Sequence, residues 1–337
     1  MPEMKFYKAL QNIPAILLLS VFICTSCGSR QDYKTIDGFT QGTTYHIVYQ
    51  QQGADTLNAL VDSILLAVDN SLSVYNGSSL ISRVNRNEEV SADTLFVNVF
   101  SRSREIWELS KGSFDISAAP YFEVWGFGAG ERRDVTQQMI DSIRQFVGMD
   151  KVSLDSGKVV KSDPRVSLNV NAIAQGYTAD VIAYAFDRLG IKNYLVEVGG
   201  EIFSKGVNAK GNEWSVGLDK PVEGNMIQGE ELQEVITLSG RGLATSGNYR
   251  KFIEEDGRKY SHTIDPATGY PVKHSLLSAT VVASDAMTAD AYATWFMVEG
   301  LEKAKEILAA TPGIDAYLVY DKDGKFEVYY TKGINIK

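Results

Sequence analysis

From Tyr194 onward the chain falls into short β-rich runs: YLVEVGG, WSVGL, EVITLSG, SATVVAS, DAYLVYD and KFEVYYT. Gly, Asn, Asp and Lys punctuate them. Runs this short cannot bury themselves; they must pair into sheets, and each sheet must cover a face. Ahead of them TTYHIVYQ (43–50) alternates like a strand, and amphipathic helices follow. In DTLNALVDSILLAVDNSLS, Leu57, Leu60, Val61, Ile64, Leu65 and Val68 recur at helical spacing. VNVFSRSREIWELSKG (97–112) carries Phe100, Ile106, Trp107 and Leu109 and stops at Gly112. Residues 136–148 place Met139, Ile140, Ile143 and Val147 on one side, and a fourth helix runs from about Ala174 to Leu189 and ends at Gly190. Helices at 288–299 and 301–310 interrupt the β-rich part, the second followed by the stop signal TPG. The expectation is an α+β fold, with mixed or antiparallel sheets covered by helices, in one domain or two interlocked lobes.

The first 30 residues stand apart. Lys5 and Lys8 precede an apolar run at 13–23 and then small residues, a signal-peptide pattern too short for a membrane span. The run ends in CTSC, where Ser26-Cys27 resembles a bacterial lipobox, although Cys24 stands where leucine is usual. The chain has two cysteines, both at this junction. Cleavage before Cys27 would discard one and acylate the other, leaving an exported domain without thiols or disulfides. The expected organisation is a signal peptide at 1–26, a lipidated Cys27 with a tether to residue 40, and a domain at 41–337. The expected location is a bacterial membrane, with the domain exposed to the periplasm or to the outer face of the inner membrane. A formal net charge of -9 with no basic stripe argues against a nucleic-acid partner.

Four stretches could carry chemistry: QGTTY (41–45), SKGSFDISAAPYFEVWGFG (110–128), SLNVNAIAQGYTAD (167–180), and a long one from Ser246 through HTIDPATGYPV (262–272). None is a Walker loop, a Rossmann fingerprint, a His-rich zinc site or a Ser-His-Asp order. DPATGYP reads as a turn, with Asp265 accepting local backbone bonds, Pro266 fixing φ and Gly269 permitting positive φ. In the extended KYSHTID before it, Tyr260, His262 and Ile264 share one face. His262 is one of three histidines, with His46 and His274. A structural strand histidine and a catalytic one are both open. In SDAMTADAYATW (284–295), Asp290 and Thr294 lie four apart, on one helix face. They read either as helix capping and back-bonding or as half of a hard-cation site, whose oxygen donors suit Mg²⁺. WGFG and SVYN are core aromatics or the flanks of a planar ligand. The glycine pair in EVGGEI is a tight turn or a close approach to a ligand.

Taken in order, GTTY, SVYN…SLISRVN, GSFDISAAPYFEVWGFG, NVNAIAQGYTAD, YLVEVGGEI, SGNYR, HTIDPATGYP and TADAYATW resemble the ApbE family, the FAD:protein FMN transferases. The resemblance spans residues 42–300. It implies an enzyme that moves FMN from FAD to a threonine hydroxyl of an exported flavoprotein subunit, with Mg²⁺ required and AMP released. It implies metal ligands at Asp290, Thr294 and the carbonyl of Ala172. It implies flavin-binding positions at Gln41, Tyr75, Ser113, Phe114, Asp115, Asn169, Gln175 and Ile264, and a catalytic base at His262. The chain departs from the family's D-L-G-G-I-A-K-G pattern, with Asn169 for the acid, Asn171 and Ala172 for the glycines, and Gln175 for the lysine. The alternatives are a FAD pyrophosphatase giving FMN and AMP, or a flavin-binding lipoprotein without turnover.

Overall fold

The eight-residue strand Tyr33–Thr40 hairpins onto Thr43–Gln50, and the two open an eight-stranded sheet. The sheet continues through Tyr194–Val198, Glu201–Lys205, Arg241–Gly247, Leu276–Ala283, Asp315–Lys322 and Lys325–Tyr330, every neighbouring pair antiparallel. The structure, a computed structural model, describes residues 32–53, 56–127, 134–222, 225, 229–248, 252–255, 258–261 and 263–337. The expected signal segment 1–26, Cys27 and His262 lie outside the described residues. Residues 32–337 form one compact unit. Its first strand corrects the expected start at Gln41: residues 33–40 are the sheet's edge strand, not tether. That strand is mostly exposed and buries Ile36 alone, so its sequence reads as polar linker.

Eight helices are found among the described residues: α1 (Asn58–Leu72), α2 (Leu80–Asn85), α3 (Thr94–Leu109), α4 (Ala119–Val124), α5 (Gln137–Arg144), α6 (Ala174–Arg188), α7 (Ala286–Glu299) and α8 (Leu301–Ala310). The sheet is covered on both faces, and strand alternation decides which residue goes where. Tyr194, Val196 and Val198 pack with Val61 and Leu65 of α1 and Ile182 and Phe186 of α6. Leu195, one residue out of phase, joins Trp214, Val216, Ile236 and Leu238 on the other side. Those belong to a small antiparallel sheet of Trp214–Asp219, Leu232–Leu238 and Asn335–Ile336. A third cluster gathers α2, α3, α7 and α8 over the strands Leu276–Ala283 and Asp315–Lys322.

α7 is the buried centre of that cluster. Ten of its residues are buried, on every side of the helix, as expected of a helix enclosed all round. It can lie close to the sheet because the strand beneath it is small-residued. A Cβ on Gly242 would fall 2.1 Å from the backbone nitrogen of Ala286. Among the described residues no helix is long and apolar enough to cross a membrane.

Candidate active site

α6 and α7 cross at Gly176. A Cβ there would lie 2.3 Å from the carbonyl oxygen of Ala286 and 3.0 Å from Cβ of Asp290, so only glycine permits this approach. The contact brings the N–H of Gly176 to Oδ2 of Asp290 at 3.2 Å. Asp290 is 6% exposed, and burial raises its carboxyl above the usual carboxylate range. One turn further along α7, Thr294 Oγ1 stands 3.4 Å from Ser246 Oγ.

These groups form one wall of a cavity of about 840 Å³. Gln41, Tyr75, Ser113, Phe114, Asp115, Asn169, Gln175 and Ile264 all line it, together with Ala172, Asp290 and Thr294. Every expected binding position that the structure describes therefore reaches one space, although the positions come from widely separated segments.

Local chemistry holds each of them. Gln41 sits at positive φ in the first hairpin and donates to Thr178 Oγ1 at 2.8 Å. Tyr75, exposed at the rim, accepts from Nδ2 of Asn171, whose own N–H is held by Oδ1 of Asn169 at 2.9 Å. Ser113 donates to Glu299 Oε1 at 2.6 Å. Asp115 accepts from the N–H and hydroxyl of Ser117 and from Trp107 Nε1. Burial still outweighs those donors and pushes Asp115 up to about 6. Ile264 is buried beside the turn read from DPATGYP, where Asp265 Oδ1 accepts from Ala267 N–H and Gly269 has positive φ. The Gly199–Gly200 pair is both turn and cavity wall, with a Cβ on Gly199 falling 2.7 Å from Gln175 Nε2.

Other sequence candidates divide between core and cavity, with Phe127 of WGFG on the cavity wall. Trp125 of WGFG is core: it donates to Gly269 O and packs edge-on to Tyr270. His274 bonds the carbonyl of Met297 near the end of α7. His46 lines the cavity but pairs with Asp37 at 2.5 Å.

The cavity's described lining includes Asp69, Asp115, Glu197, Glu201, Asp219 and Asp290, with no lysine or arginine. Among the described residues, no three His, Cys, Asp or Glu side chains group to hold a metal. At the wall beside α7, Asp290 offers a carboxylate, and Thr294 and Ser246 offer hydroxyls. That set fits a hard cation that keeps waters and takes ligand oxygens as well, which is Mg²⁺ chemistry rather than zinc chemistry.

Two residues escape a reading of the sequence. Asp180 of α6 accepts the N–H groups of Ala286 and Met287 at 2.8 Å each, closing the N-terminus of α7. Burial, with Asp285 and Asp290 nearby, pushes it up to about 7 against those donors. Glu299 accepts from Ser113 and from Trp295 Nε1. Trp295 is four positions from Glu299, but the bonds from Ser113 to Glu299 and from Ala286 and Met287 to Asp180 join residues more than a hundred positions apart, so local pattern carries no sign of them; a hint is TAD, which occurs at 178–180 and again at 288–290.

The arrangement is that of an α+β protein built round a large cavity lined by both apolar side chains and oxygen-bearing groups. Residues 41–318 match the ApbE family, and the chain belongs to that family. The FAD:protein FMN transferase of Haemophilus influenzae is 35% identical over 319 residues, covering 89% of this chain and 90% of the relative. That of Escherichia coli K12 is 32% identical, covering 87% and 86%. Among solved structures, the flavin transferase ApbE from Vibrio cholerae superposes with a TM-score of 0.80 at 33% identity, over 89% of this chain and 97% of that one. The apo flavinyl transferase ApbE of Pseudomonas stutzeri gives 0.79 at 31%, over 89% and 95%.

Proposed function

We propose that the cavity binds FAD and that this chain is a transferase moving the FMN half of FAD onto an acceptor protein. The observation that carries this is the convergence of all the described family-matched positions on one cavity, in a chain whose full-length relatives are named FAD:protein FMN transferases. The finer reading is that the acceptor atom is a threonine hydroxyl of an exported flavoprotein subunit. Its oxygen attacks the FMN phosphorus, the bond from that phosphorus to the bridging oxygen breaks, and AMP leaves.

Asp290, Thr294 and the carbonyl of Ala172 would hold Mg²⁺, which when bound supplies charge neutralisation and alignment to the pyrophosphate. Gln41, Ser113, Asn169 and Gln175 offer hydrogen-bonding groups to the flavin nucleotide, and Tyr75 offers a ring at the rim. The threonine proton must go to a base, and His262 is our candidate because its ordinary pKa lies near neutrality. A positioned base contributes ~10²–10⁴-fold. Replacing His262 with Asn is expected to keep FAD affinity while cutting transfer by at least about 10². A variant that binds FAD poorly yet transfers at the normal rate under saturation makes His262 a binding residue instead.

The proposal includes export and anchoring through Cys27, supported by the leader pattern of the sequence. Cys27→Ala should move the protein into the soluble fraction. A wild-type chain without acyl mass would rule the anchor out. For the reaction itself, the test is incubation with FAD, Mg²⁺ and an acceptor, alongside the acceptor with its threonine changed to alanine. Modification of the first alone is expected; AMP and free FMN with both acceptors unmodified would mean a pyrophosphatase, and neither turnover nor modification would mean a carrier.

A further inference from the structure

We infer that Asp180 is a positioning residue for the cation: it straps α7 to α6 so that ligands carried by two different helices stay in register. The inference rests on the cation reading above. Its starting point is that the proposed ligands do not share a rigid element. Ala172 lies just before α6, whereas Asp290 and Thr294 stand on α7. Mg²⁺ demands near-octahedral oxygens at ~2.0–2.1 Å, so a slide of α7 along α6 by even ~1 Å would break the set.

What resists that slide is one face of α6. Gly176 and Asp180 are four apart and so lie one above the other. Gly176 gives its N–H to Asp290 and sits against the carbonyl of Ala286. Asp180 takes the N–H of Ala286 on one oxygen and that of Met287 on the other. A carboxylate divided between two successive N–H groups fixes both the height and the rotation of the helix start. Asp290 and Thr294 follow one and two turns later.

α7 has a second acid at its start, and the contrast isolates the role. Asp285 accepts the N–H of Thr288 at 2.7 Å, an ordinary cap made within its own segment. It stabilises the helix without tying it to α6. If Asp180 were merely another cap, the two acids would be equivalent.

The experiment uses the full chain and Mn²⁺ as a stand-in for Mg²⁺, with free Mn²⁺ read by electron paramagnetic resonance, without FAD and with saturating FAD. Asp180→Asn should raise the Mn²⁺ Kd by about tenfold or more, the scale found when residues that orient metal ligands are changed. Asp285→Asn should leave it within about twofold, and metal-free FAD affinity should be unaltered in both. Asp180→Glu, which keeps both oxygens but lengthens the arm, provides a second folded variant and should weaken Mn²⁺ as well. Equal shifts for the Asp180 and Asp285 variants, or no shift for Asp180→Asn and Asp180→Glu, would overturn the inference. A wild type that binds no Mn²⁺, or an Asp290→Ala protein that binds it normally, would overturn the cation reading and the strap with it.

Discussion

Ser113 donates its hydroxyl hydrogen to Glu299 across 2.6 Å, joining the loop after α3 to the last residue of α7. The hydrogen is committed to Glu299, so Ser113 can only accept from a ligand in the cavity. Glu299→Ala frees that hydroxyl and removes a bond to a charged group. Such bonds are worth about 1.5–3 kcal/mol, and part of that should appear as a loss of FAD affinity of about tenfold. Fluorescence titration with FAD measures it. Unchanged affinity would show that Ser113 does not orient the flavin.

Gly176→Ala places a methyl group against backbone, which cannot swing away as a side chain could. The expected cost is about 1–3 kcal/mol of stability, typical of overpacking, with weakened cation binding because Asp290 is pushed off the N–H it accepts. Urea denaturation and the same Mn²⁺ titration would report both effects. Stability equal to wild type would mean that α6 and α7 do not approach as described.

Asp115 sets a pH dependence with a definite sign. Burial raises its folded-state value to about 6, despite the Ser117 and Trp107 donors, whereas in the unfolded chain it titrates near 4. The unfolded form therefore ionises first. Stability is highest below about pH 4, falls as pH rises to about 6, and is flat above. The loss attributable to this group is at most about 3 kcal/mol. Asp180 and Asp290 shift in the same direction, so the informative quantity is a difference. Without FAD, Asp115→Asn should lose less stability than wild type between pH 4 and 7 by urea denaturation. Parallel profiles would contradict the assignment.

The helices with one apolar face were legible in the sequence. α1, α3, α5, α6 and α8 lie within a few residues of their expected positions, because each covers a core on one side and meets solvent on the other. The strands in YLVEVGG, WSVGL, EVITLSG, SATVVAS, DAYLVYD and KFEVYYT are also where their β-branched and aromatic residues put them. The central strand Arg241–Gly247 was not legible. RGLATSG has a single β-branched residue, Thr245, and apart from Leu243 is otherwise small or polar because α7 presses on it and Gly242 must have no side chain. The edge strand Tyr33–Thr40 hid for the opposite reason, having little to bury.

At the site, motif spacing located the residues but not their supports. Asp290 and Thr294 stand out as polar groups on an otherwise apolar helix, and the resemblance supplied Ala172 and the flavin positions. Asp180 and Glu299 act through partners 106 and 186 positions away. Acids with such partners look like ordinary helix-surface acids until the chain is folded.

On the proposed function, FMN leaves FAD for a protein under the control of the Asp290 site. The most direct test incubates the enzyme with FAD and an acceptor, in Mg²⁺ or in chelator, and follows acceptor mass and AMP together. Wild type should add one FMN per AMP released in Mg²⁺ and none in chelator. Asp290→Asn should be slowed by at least about 10², as for loss of a main stabiliser of the transition state. Acceptor modification that proceeds undiminished in chelator and in Asp290→Asn would contradict the account.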